Sequence, residues 1–190
     1  MEYVYHGSPI GGLTYIETKI STHGKNWVYA TKDKSIALTF LQKWNDYLFC
    51  QTIHDGKHEF TERVSNIFEE IYKGKSGYIY YLDAANFLEG QTSFSPEVVS
   101  KQREKVIRFE FIEDSYEKLC EMEKNNEIVL YRYPNKPDYI PHDDSDLIKR
   151  TKYFLEHSHD KKRKEALIEY AIEKHPKLKE ALLSLIENED

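Results

Sequence analysis

Apolar residues in this chain recur with two different periods. Up to about Tyr133 they fall in short strand-like runs, and from Ser145 onward they fall at helical spacing. That change predicts an α+β chain: a mixed sheet with few helices over residues 1–143, then a helical extension over 144–190. Of the 190 residues, 39% are hydrophobic, enough for one main core and a small appendage rather than two large domains.

Local signals place the elements. Tyr3-Val4-Tyr5-His6-Gly7-Ser8-Pro9 reads as a short strand and turn, and Trp27 to Thr31 as a second strand. Asp33 or Ser35 can cap a following helix, with Ile36, Ala37, Phe40, Leu41, Trp44 and Leu48 on one face. Asp55-Gly56 between apolar runs predicts a hairpin. Thr61-Glu62-Arg63 is expected to open a second helix, stopped by Lys73 to Gly77, and Tyr78 to Leu82 a further strand. Pro96 puts Glu97 at the very start of a strand, and Lys105 to Phe111 is the best alternating run. Its two faces carry Val106, Arg108 and Glu110 on one side and Ile107, Phe109 and Phe111 on the other. Asp114 to Lys124 predicts a helix, Ile128 to Tyr133 a last strand, and three amphipathic helices follow, the third entered through Pro176.

Composition narrows the function. A net charge of −6 without a long basic stripe argues against binding through nucleic-acid phosphates, so a nucleic-acid acceptor is not indicated. No run is long enough to span a membrane, and the N-terminus lacks a signal-sequence pattern, so a cytoplasmic chain is expected. Cys50 and Cys120 have no metal-ligand spacing and are expected to be reduced. His142, Asp143, Asp144, His157 and His159 are metal-ligand types without a zinc spacing; no metal is expected. Lys161 to Lys164 reads as a solvated helix start.

Alone, His6-Gly7-Ser8-Pro9 is better explained by a turn than by a site. Three strand-end residues taken together alter that: His6, Tyr29 and Glu97. With Tyr5-His6-Gly7, Val28-Tyr29-Ala30-Thr31 before a capped helix, and Ser95-Pro96-Glu97-Val98-Val99-Ser100, the first 115 or so residues resemble the ADP-ribosyltransferase superfamily. The likeness is to its His-Tyr-Glu branch, which includes diphtheria-toxin-like enzymes and poly(ADP-ribose) polymerases.

The resemblance implies a split mixed or antiparallel sheet with flanking helices, and an NAD-dependent transferase that cleaves the nicotinamide glycosidic bond. NAD would be its substrate, with no metal. His6 would bind the adenosine ribose, the Gly7 backbone the carboxamide, and Tyr29 would stack on the nicotinamide ring. Glu97 would hold the ribose 2′-hydroxyl and stabilise the oxocarbenium-like species. Ser8 belongs to the same pocket, and Ser35 is the nearest counterpart of a carboxamide-binding serine on the following helix. His23, in the loop before Tyr29, is a candidate to close over bound cofactor.

The pattern departs from arginine-modifying toxins, which carry Arg on the first strand and Gln or Glu two residues before the catalytic Glu; here His6 and Ser95 stand there. Glu59, Glu89 and Glu110 also lie near strand ends, and Tyr29 is one of fifteen tyrosines. The acceptor stays open. An RNA 2′-phosphotransferase and a silent NAD-binding module of the same fold are the competing readings.

Overall fold

The computed structural model describes residues 1–20, 24–158 and 160–187. Its first strands are β1 (Tyr3–Ser8), β2 (Tyr15–Ile16), β3 (Lys19–Ile20) and β4 (Asn26–Thr31), followed by α1 (Lys34–Thr39). β5 (Phe49–His54), β6 (Lys57–Glu62), α2 (Ile67–Tyr72), β7 (Gly77–Asp83), β8 (Glu97–Ser100), β9 (Glu104–Lys105) and β10 (Arg108–Ile112) come next. α3 (Ser115–Lys124), β11 (Ile128–Tyr131), α4 (Asp146–Glu156), α5 (Lys161–Lys174) and α6 (Lys179–Glu187) complete the chain. The fold is α+β, and no helix among the described residues is long and apolar enough to cross a membrane.

Two compact units form. One comprises Met1–Trp44, Gln51–Phe60 and Phe68–Leu130; the other comprises Asn45–Cys50, Thr61–Ile67 and Tyr131–Asp190. The first is built on a sheet of order β10-β7-β1-β4-β3, with β8 also on β4. β1 pairs with β7 over six residues, Tyr3 opposite Asp83 through Ser8 opposite Tyr78. With β4 it pairs only at Tyr5 opposite Thr31. One face of this sheet buries Val4, Val28, Ala30, Tyr80, Leu82 and Val98, sealed by Ile16 from β2. On the other face α1 buries Ile36, Ala37 and Leu38.

Several departures from the sequence pattern have local causes. The helix expected to reach Leu48 ends at Thr39, and Asn45 Oδ1 instead accepts from the backbone N–H of Tyr47 at 3.0 Å and of Leu48 at 3.1 Å. Such side-chain turns compete with helix for the same donors. Thr61 and Glu62 stay in β6, and α2 starts only at Ile67, because Asn66 takes a φ of 61° that a helix interior does not accept. The hairpin is as expected: Asp55 at φ 49° and Gly56 at φ 73° make the left-handed pair of a type I′ turn. The run from Lys105 to Phe111 is divided, since Val106 N–H bonds Thr14 O at 3.0 Å while Ile107 N–H bonds Tyr81 O at 2.9 Å. One end therefore serves β2 and the other β7.

In the second unit Leu147, Leu155, Ile168, Ala171 and Leu182 pack around Tyr47, whose hydroxyl lies 2.9 Å from Thr151 Oγ1. Beside them Asp144 accepts from Arg63 at 2.7 Å and pairs with Lys136 at 2.6 Å, and all three are buried. His175 Nδ1 lies 3.5 Å from the same carboxylate, and its Nε2 donates to Tyr47 O at 2.6 Å. Burial opposes ionisation of Asp144, but hydrogen bonds from His175, Lys136 and Arg63 outweigh it and hold the carboxyl well below its usual range. His159 lies outside the described residues.

Candidate functional site

The site residues named from the sequence belong to β1, β4, α1 and β8, all in the first unit. β8 runs antiparallel to β4, with Thr31 opposite Glu97 and Tyr29 opposite Val99. Cross-strand partners share a sheet face and alternate residues return to it, so Tyr29 and Glu97 emerge on the same face as diagonal neighbours. The register extends that row across the sheet. Arg108 stands opposite Tyr81, Tyr81 opposite Tyr5, Tyr5 opposite Thr31 and Thr31 opposite Glu97. Glu97 thus ends a five-strand row that carries two tyrosines and an arginine.

His6 meets Tyr29 through the main chain. Alternation along β1 sends its side chain to the face opposite Tyr5, yet Nδ1 lies 2.7 Å from the carbonyl oxygen of Tyr29. Because the β1–β4 ladder stops at Tyr5, that carbonyl is open to a side-chain donor. A carbonyl only accepts, so the proton sits on Nδ1 and Nε2 of the neutral ring is left as an acceptor. Desolvation, opposed by the bond to Tyr29 and joined by the charge of Lys19, lowers the pKa to about 4. The ring is therefore neutral at pH 7.

The Tyr29 hydroxyl donates to Lys25 O at 2.9 Å, and its ring lies 6.2 Å from that of Trp27 at a 54° tilt. Glu97 is half-buried, with its N–H bonded to Phe94 O at 2.9 Å. At Gly7 a β-carbon would sit 1.9 Å from Ala37 O, so only glycine lets α1 pack this close to β1. Ser8 is buried and its Oγ accepts from Ile10 N–H at 3.2 Å, starting the loop that follows.

Ser35 is 1% exposed and sits inside a polar chain. Asp33 Oδ1 caps α1 by accepting from Ser35 N–H at 2.8 Å and from Ser35 Oγ at 2.7 Å. Ser35 Oγ lies 2.8 Å from His58 Nδ1, and His58 Nε2 lies 3.2 Å from Gln51 Oε1. Burial drops the His58 pKa to about 4, with Asp33 opposing. Sequence reading did not single out His58; its signal was a histidine among the apolar and polar alternation just after the Asp-Gly turn.

A second cluster was also missed. Glu110 Oε2 takes Lys34 Nζ at 2.5 Å and the Tyr81 hydroxyl at 3.1 Å, and the Arg108 guanidinium lies 3.7 Å over the Tyr81 ring. Burial favours the uncharged forms, but the pair overrides it, raising Lys34 and lowering Glu110. Lys34 is the first residue of α1, so the helix that crosses Gly7 is also tethered at its start.

A cavity of about 430 Å³ lies near the beginning of β1, lined by Glu2, Val4, Lys32, Asp83, Phe87 and Val98. It opens toward the face of Val4 and Val98, opposite that of Tyr29 and Glu97, and none of His6, Gly7, Ser8, Tyr29, Ser35 or Glu97 lines it. His23 lies outside the described residues. No family model matches the chain, and neither does any curated protein or solved structure.

Proposed function

We propose that the chain is an NAD-dependent ADP-ribosyltransferase whose site lies where β1 and β4 part. One observation carries the reading: the ladder between these strands ends at Tyr5 and Thr31, and beside the gap stand a neutral His6 bonded to Tyr29 and, on Tyr29's own face, Glu97. An almost unpaired central ladder fits the split sheet of that superfamily. His6 Nε2 offers an acceptor to a ribose hydroxyl. The Tyr29 ring offers a stacking surface for nicotinamide. When the bond between ribose C1′ and nicotinamide nitrogen breaks, nicotinamide leaves neutral and positive charge builds on the sugar; Glu97 is the fixed anion that stabilises it. The acceptor then adds at C1′ and loses its proton.

Ser35 has a positioning role in this reading. Its hydroxyl is committed to Asp33 and His58, so it fixes the start of α1.

The test is nicotinamide release from NAD by the wild type and by Glu97→Ala. Loss of a charge aimed at the transition state should lower the rate by about 10² to 10³. Equal rates above background would remove Glu97 from the mechanism. Thermal stabilisation by NAD without any nicotinamide release would instead favour a silent binding module.

A further inference from the structure

β10 is the end strand of the main sheet, bonded to β7 on one side and to no strand among the described residues on the other. Its exposed face is apolar: Phe109 is 55% exposed, Phe111 52%, and Ile107 just before it 42%. Edge strands are ordinarily protected by proline, lysine, bulges or a covering element. Here the strand Arg108-Phe109-Glu110-Phe111-Ile112 has no proline or lysine, and its two charges are on the less exposed face with Tyr81 and Lys34.

The order of residues along this edge is complementary to itself. A twofold axis perpendicular to the sheet keeps every residue on its own face, so two antiparallel copies pair about a single residue. Pairing about Arg108 or about Glu110 sets like charges opposite each other at the axis. Pairing about Phe109 sets Arg108 opposite Glu110 of the second copy, Ile107 opposite Phe111, and the two Phe109 rings together. Opposite charges and apolar pairs at these positions stabilise a ladder, and like charges destabilise it.

The charged pair is also accessible. Lys34 and Tyr81 both bind Oε2 of Glu110, and Oε1 has no partner among the described residues. The Arg108 guanidinium stacks on Tyr81 by its face, so its N–H edge is available to a carboxylate.

We infer that β10 is the contact strand of a homodimer in which two copies of this chain join edge to edge about Phe109. The main sheet then continues through the axis, and the rows of Tyr78 with Phe111 and Tyr80 with Phe109 join into one apolar strip. The contact is short, because beyond Ile107 the chain leaves to pair with β2, so association is concentration-dependent rather than obligate.

The inference does not depend on the transferase reading. Sedimentation of the full chain over a range of concentrations tests it, with Phe109→Lys as the disrupting variant. The wild type is expected to shift from monomer to dimer as concentration rises, and the variant to stay monomeric with unchanged far-UV circular dichroism. Cysteine cross-linking fixes the register without relying on that variant. Phe109→Cys should form a disulfide-linked dimer on mild oxidation, whereas Ile107→Cys, whose partner is Phe111, and the wild type should not. A wild type that is monomeric throughout, a dimer that survives Phe109→Lys, or cross-linking of Ile107→Cys in preference to Phe109→Cys would each overturn it.

Discussion

The imidazole of His6 donates from Nδ1 to the main-chain carbonyl of Tyr29 at 2.7 Å, tying the end of one strand to another where their ladder has stopped. The bond fixes the tautomer and leaves Nε2 as an acceptor. His6→Ala removes both functions. On the proposed transferase reading, NAD affinity measured by calorimetry should fall roughly tenfold, the worth of one hydrogen bond of about 1.5 kcal/mol. An unchanged affinity would return Tyr5-His6-Gly7 to an ordinary strand end.

Gly7→Ala tests the packing of α1 on β1. The added methyl would sit 1.9 Å from Ala37 O, which is backbone and cannot rotate aside. Relief requires α1 to move, at a cost of about 1–3 kcal/mol or more. Denaturant unfolding should show that loss. Wild-type stability in Gly7→Ala would mean that the helix is not held against this strand.

His58 gives stability a pH dependence. It is buried, and its pKa in the fold is about 4 against the ordinary 6.5 of an exposed histidine in the unfolded chain. Between these values the unfolded chain binds the proton and the folded chain does not, so stability is complete above pH 6.5 and falls as pH drops toward 4. The full difference corresponds to roughly 3 kcal/mol. Denaturation curves at pH 7 and pH 4.5 should diverge less for His58→Gln than for the wild type; equal divergence would rule out this residue as the source.

In the second unit, Asp144 is the shared anion for buried Arg63 and Lys136. Asp144→Asn leaves two buried cations without that counter-charge, a loss of about 3–5 kcal/mol. Thermal unfolding should report it. Charge-neutral behaviour of the variant would mean that water screens the cluster.

The local structure around the candidate site residues was legible in the sequence because it rests on short-range chemistry. Asp33 caps the helix after β4, Pro96 precedes a strand that begins at Glu97, and both follow from short-range rules. Nothing local specifies that Glu97 stands opposite Thr31, since register depends on which strands meet. The same limit explains Ser35, which by sequence was a ligand candidate and in the fold is linked to His58, 23 positions away. It also explains Phe109 and Phe111: their alternation marks a strand face, but only the neighbours of that strand decide whether the face is covered.

Sequence alone determined the α+β class, most strand and helix positions, the Asp55-Gly56 hairpin and the order His6, Tyr29, Glu97 along the chain. Backbone preference and apolar period act over a few residues, and these features need no more than that. Tertiary structure decided the early end of α1, the division of the Lys105 to Phe111 run between β2 and β7, the halted ladder between β1 and β4, and the bond from His6 to the Tyr29 carbonyl. Each depends on a partner distant in the chain, and packing, not propensity, selects it.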